Sequence, residues 1–136
     1  MTHILDSWLL YVHPPIAIVG YVFVILNVFL THRYLQDEGY KRMLEVGSLL
    51  AWGLTLGGLV TGMIWAELAW GTYWSWDPKE TATLVLFMLV SLHLFIFYRD
   101  NDNEKKYLFW LAVGGAASIG LVVMSPFIAM SLHAYA

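Results

Sequence analysis

The sequence predicts an all-α integral membrane protein, a four-transmembrane-helix bundle with a tryptophan-rich external loop between its second and third helices. Three observations lead there. Of 136 residues, 60% are hydrophobic and only 12% charged, and the mean hydropathy is +0.65. A soluble domain of this length leaves too much surface in contact with water to hide so much apolar area. The apolar residues also collect in four runs, about 8–31, 43–66, 78–98 and 107–133, each near the roughly 20 residues that a membrane-crossing helix requires. Finally, the separators are short and polar: THRYLQDEGYKR, a tryptophan-rich stretch at 67–77, and RDNDNEKK. No linker, low-complexity tract or internal repeat divides the chain, so residues 1–136 read as one membrane domain surrounded by lipid.

The first span, about 8–31, opens within MTHILDSWLLY, which has no Lys or Arg before its apolar run and carries Asp6, unlike a cleavable signal peptide. Within this span Pro14 and Pro15 remove two backbone donors just after His13. They either kink the helix or mark its true start, with His13 on the loop before it. The second span carries Gly53, Gly57, Gly58 and Gly62, two pairs at small-xxx-small spacing. In lipid, such residues mark faces where helices approach closely. In WSWDPKE, Asp77 is a good N-cap, Pro78 suits the first helical position, and Glu80 completes a capping-box spacing, so the third span starts there. The fourth has the small residues Gly114, Gly115, Ala116, Ala117, Ser118 and Gly120, and Pro126 should bend it.

Charge sets the expected orientation. Arg33, Lys41 and Arg42 flank the first polar turn, and Arg99, Lys105 and Lys106 the third; Lys79 alone lies on the opposite side. Basic residues stay cytoplasmic, so both termini and the tryptophan-rich loop are expected to be extracytoplasmic. The net charge of -3 provides no basic footprint for nucleic acid. The absence of cysteine excludes disulfides, iron–sulfur clusters and thiol chemistry carried by this chain.

Residues 65–80 read WAELAWGTYWSWDPKE. Tryptophan and tyrosine gather at membrane interfaces by default, and the helix cap accounts for Asp77 and Glu80. Anchoring does not account for the density, because Trp65, Trp70, Trp74 and Trp76 fall within twelve residues. Such side chains offer a broad apolar surface with N–H donors at its edge, suited to a large planar ligand. The stretch by itself leaves anchoring and ligand binding both open.

The histidines favour a ligand. His13 lies in the outer part of the first span and His133 at the outer end of the fourth, on the side that carries the tryptophans. Across a small bundle, two such imidazoles could supply both axial ligands of a haem iron, with the tryptophans as a shelf for the porphyrin edge. His93 lies inside the third span, where an ionisable group is a functional candidate, here for a second haem site or an entry path. His3 is expected to be solvated, and His32 sits in the basic cytoplasmic turn.

The stretch WGTYWSWDPKET closely resembles the signature of the tryptophan-rich "WWD" family, the haem-handling membrane proteins of cytochrome c biogenesis. It is more similar to the CcsA/ResC-type branch than to the related CcmC type, and the likeness runs from the first-span histidine to the final SLHAYA. The resemblance implies that His13 and His133 are the external histidine pair, and that Trp70, Gly71, Trp74, Trp76 and Asp77 form the signature core. It implies b-type, non-covalent haem, held at the outer face of a prokaryotic cytoplasmic membrane or a thylakoid-type equivalent. The haem would be presented to the thiols of an apocytochrome c or to a haem chaperone. Family members normally have six or more spans, so the expectation here is the haem-handling core of a lyase or synthetase system. That core would act with ResB-like or other membrane subunits and would not suffice alone. The alternative is a bis-histidine haem b electron-transfer subunit of a larger membrane complex.

Overall fold

The computed structural model describes the backbone of residues 9–135 and the side chains of residues 11–127. Four helices account for most of it: α1 (Leu9–Gln36), α2 (Lys41–Trp70), α3 (Pro78–Arg99) and α4 (Lys105–Tyr135), with a short 3-10 turn at Glu38–Tyr40 between the first two. All four are long and apolar enough to cross a membrane. At 1.5 Å per residue the 22 residues of α3 extend about 33 Å, close to the hydrocarbon thickness of a bilayer. The chain is an all-α four-helix membrane bundle.

Successive helices run antiparallel because the turns joining them are short. α1 packs on α2 and α3 on α4, while α1–α4 and α2–α3 contacts close the ring. Each helix turns one stripe inward. On α1 the buried positions are Gly20, Val24, Asn27, Leu30, Thr31 and Tyr34, while Ile18, Val22, Ile25 and Phe29 are exposed on the other side. The outer stripe is as apolar as the inner one because its solvent is lipid. Inside, Val24, Ala51, Leu86, Val90 and Ile119 bring all four helices together at mid-depth, and Leu30, Tyr34, Leu44, Phe97 and Leu108 fill the half nearer the basic turns.

Hydrogen bonds between helices supplement this packing. Asn27 Nδ2 donates to Ser48 Oγ at 3.3 Å, and Trp52 Nε1 donates to Ser91 Oγ at 3.0 Å. Such bonds contribute about 0.6 kcal/mol each in membrane bundles. The glycine expectation for the second span resolves position by position. A Cβ on Gly57 would lie 3.3 Å from Ile16, one on Gly58 3.7 Å from Ala17, and one on Gly62 3.3 Å from His13, whereas Gly53 faces open space. Three of the four glycines therefore let α2 lie close along α1.

Two boundaries depart from the sequence expectation. Pro14 and Pro15 lie inside α1, which starts at Leu9, so His13 is a helical residue and the prolines do not mark the helix start. α2 continues past 66 to Trp70, because Ala66, Glu67, Leu68 and Ala69 are all good helix formers. It stops at Gly71, whose φ of 81° is left-handed and whose N–H bonds to Glu67 O at 2.9 Å. Trp65 and Trp70 are therefore carried on a helix, and the irregular loop is Gly71–Asp77.

Candidate functional site

At the end of the bundle away from the basic turns the helices part around a cavity of about 270 Å³. Three helices contribute at helical spacing: His13, Pro14, Ala17 and Tyr21 from α1, then Leu54, Gly58, Gly62, Trp65 and Ala66 from α2, then Lys79, Glu80, Thr83 and Leu86 from α3. Trp70, Trp74 and Asp77 close the rim. The walls are mostly apolar, with an imidazole on one side and a lysine on another. Lys79 is the lone basic residue of this half of the sequence pattern, and it forms no ion pair among the described residues.

His13 is held from its Nδ1 side. Nδ1 lies 2.7 Å from Thr61 Oγ1, on the neighbouring turn of α2. The imidazole sits where α2 presents Gly62, whose missing side chain leaves the ring edge room.

The indoles are not coplanar. They make two edge-to-face pairs, Trp65 with Trp70 at 5.8 Å and 79°, and Trp74 with Trp76 at 5.3 Å and 88°. Edge-to-face contact satisfies the ring quadrupoles better than a sheet of coplanar indoles. Trp65 and Trp74 are half-buried in the cavity wall, Trp70 stands at its mouth 70% exposed, and Trp76 is 67% exposed and outside it. Gly71 does not line the cavity either; its left-handed φ ends α2.

The loop geometry follows from hydrogen bonds at the start of α3. Asp77 Oδ1 accepts from Glu80 N at 2.7 Å, the N-cap bond anticipated from WDPKE. The return bond of a standard capping box is absent. Glu80 Oε2 accepts instead from Ser75 N at 2.7 Å and lies 3.3 Å from Ser75 Oγ. Between them Trp76 adopts φ 59°, left-handed and uncommon outside glycine. Asp77 and Glu80 thus both shape the loop and border the cavity.

His133 belongs to the last turns of α4, and its side chain lies outside the described residues. His93 is described and is elsewhere. It is 3% exposed between α1 and α3, with Nε2 3.0 Å from Thr31 Oγ1, and the void beside it measures about 10 Å³. That is room for about one water, not for a planar cofactor.

Sequence reasoning brought His13, Trp65, Trp70, Trp74 and Asp77 to the cavity. It missed Thr61, Tyr21 and Lys79. Thr61 had a signal in its placement one turn from Trp65, beside glycines assigned to packing alone. Lys79 had one too, as the basic residue that broke the charge pattern.

These features define a class: an integral-membrane helical bundle with an aromatic, histidine-bearing cleft at one membrane face. The chain belongs to the family described as cytochrome C assembly protein, whose pattern matches residues 1–131. Among curated relatives, a cytochrome c biogenesis protein CcsA of Anthoceros angustus is 46% identical over 103 residues, covering 73% of this chain and 28% of the relative. The CcsA of Synechococcus sp. (strain CC9311) is 42% identical over 111 residues, 80% of this chain and 34% of its own length. That of Cyanidium caldarium is 37% identical over 95 residues, 70% and 29% respectively. The chain therefore spans about a third of the length of these relatives or less. No solved structure matches it.

Proposed function

We propose that this chain binds haem at the extracytoplasmic face of the membrane and hands it on during cytochrome c biogenesis, the process named for its CcsA relatives. The observation that carries the reading is the setting of His13: an imidazole in an aromatic-walled cavity, at the end of the bundle that bears the tryptophan signature. The donor set suits b-type, non-covalently held haem. One imidazole is at hand, the walls are apolar and aromatic, and Lys79 offers a positive charge to propionates. His133 would hold the iron together with His13 in this proposal. A cavity of about 270 Å³ is just below the usual range for small-molecule sites, roughly 300–1,000 Å³. It would admit one edge of a porphyrin and leave the rest accessible.

Each residue then has a task. His13 and His133 would hold the metal, Trp65 and Trp74 would exclude water from the cavity wall, and Trp70 would cover its mouth. Asp77 and Glu80 keep the loop folded so that the indoles stay in place. Bound haem would supply vinyl groups, across whose C=C bonds the cysteine S–H groups of an apocytochrome c would add, or the haem would first pass to a haem chaperone. The chain contributes positioning and exclusion of water. Its membrane is a prokaryotic cytoplasmic membrane or a thylakoid-type equivalent, with termini and loop outside by the distribution of Lys and Arg. ResB-like or other membrane subunits complete the assembly. The electron-transfer alternative asks for a second haem across the bilayer, and the closely packed surroundings of His93 lend it no support.

Protein purified in detergent from haem-replete cells should show a Soret band, and His13→Gly with His133→Gly should abolish it. A double variant that keeps its haem would show that the iron is held elsewhere.

A further inference from the structure

The Thr61–His13 contact has a direction that its neighbours decide. Thr61 Oγ1 lies 2.7 Å from His13 Nδ1 and also 2.7 Å from Gly57 O, one turn earlier on α2. A hydroxyl has one hydrogen and must choose. If it donated to Nδ1, two oxygens would stand 2.7 Å apart with no proton between them, at a separation normal only for a hydrogen bond. If it donates to Gly57 O, that contact becomes a hydrogen bond, and Nδ1–H donates to the hydroxyl oxygen. Every short contact is then satisfied. The consequence lies on the far side of the ring: with the proton on Nδ1, Nε2 carries a bare lone pair.

We infer that Thr61 is a positioning residue that locks His13 in its Nδ1–H tautomer and so presents Nε2 as the metal-binding atom. A metal-bound histidine usually donates its other N–H to an oxygen that orients the ring and raises its basicity. Here that oxygen is a threonine hydroxyl, itself fixed by a backbone carbonyl. Gly62 completes the arrangement, since a Cβ there would lie 3.3 Å from His13 Cε1 and press on the edge between the ring nitrogens. The role of Nε2 as a metal ligand rests on the haem reading above. The tautomer does not.

The test uses the full chain in detergent with 15N-labelled histidine, read by NMR without haem and then by haem titration. Wild type should show His13 protonated on Nδ1 and unprotonated on Nε2. Thr61→Ser keeps the hydroxyl and should look the same, whereas the isosteric Thr61→Val should move the proton to Nε2 or give a mixture. Haem affinity should fall about tenfold or more in Thr61→Val, the usual effect of removing such a partner, and recover in Thr61→Ser. A wild-type His13 protonated on Nε2, or a Thr61→Val spectrum with the wild-type tautomer, overturns the inference. If the tautomer behaves as described while His13→Gly keeps full haem affinity, the Thr61 assignment stands and the axial-ligand role of His13 falls.

Discussion

The close approach of α1 and α2 can be measured with a glycine-to-alanine series on α2. Replacing a mid-helix glycine by alanine stabilises a helix by about 1 kcal/mol through backbone entropy alone. What the new methyl group meets then decides the sign. At Gly53 it meets nothing within 4 Å, so Gly53→Ala should gain close to the full 1 kcal/mol. At Gly58 it touches the Ala17 backbone at 3.7 Å, an ordinary van der Waals distance, and the gain should persist. At Gly47 it would lie 2.8 Å from Asn27 Oδ1 and 3.1 Å from a Leu30 methyl. Asn27 is buried and its amide bonds to Ser48, so it has little freedom to move. Overpacking of this kind costs about 1–3 kcal/mol, and the 3.3 Å bond to Ser48 would be stretched or lost. Net of the helix gain, Gly47→Ala should destabilise the bundle by up to about 2 kcal/mol. Reversible unfolding in mixed micelles, followed by tryptophan fluorescence, would give the order Gly53→Ala, Gly58→Ala, Gly47→Ala from most to least stable. A Gly47→Ala variant as stable as Gly53→Ala would refute the close contact between Asn27 and α2.

Three further outcomes follow from the loop and the cavity. Asp77→Ala removes the N-cap of α3 and should cost about 1 kcal/mol, while Asp77→Asn, still an acceptor, should cost less than half of that in the same unfolding assay. Trp76→Gly relieves a left-handed φ that is unfavourable for tryptophan by about 1 kcal/mol. Loss of its edge-to-face contact with Trp74, about 0.5–1.5 kcal/mol, offsets this, so the variant should unfold within about 1 kcal/mol of wild type. Because Trp76 stands outside the cavity it should bind haem as tightly, and a titration showing lost affinity would assign its indole a role the geometry does not. Lys79→Glu reverses the positive charge at the cavity wall and should weaken haem binding about fivefold. It should leave a porphyrin with esterified propionates unaffected, and equal loss for both ligands would mean that Lys79 acts only through local structure.

The four long apolar helices and the cap that opens α3 were legible in advance because their causes are local. Twenty apolar residues in a row and an Asp-Pro pair with a following glutamate act through adjacent residues. The orientation of side chains around each helix was not legible. In water the buried face of a helix announces itself by being the apolar one. Here Ile18, Val22, Ile25 and Phe29 face outward on α1 while Val24 and Leu30 face inward, so composition does not separate the two stripes. The tryptophans show the same limit. Their number could be counted, but whether four indoles lie flat or meet edge to face depends on Trp65 and Trp70 riding on α2 while Trp74 and Trp76 follow it in the loop.

The sequence by itself determined that this chain lives in a membrane, that it is an all-α bundle of four long apolar helices, and to which family it belongs. Lipid demands long apolar runs, and caps and signatures are contiguous, so all three can be read along the chain. Only the tertiary structure decided that His13 meets Thr61 across 48 positions, that Lys79 borders the same cavity, and that His93 is paired with Thr31 away from it. Those contacts depend on the rotation and depth at which one apolar helix settles against another. Close packing and a few hydrogen bonds set that choice, and neither leaves a periodic trace in the residues themselves.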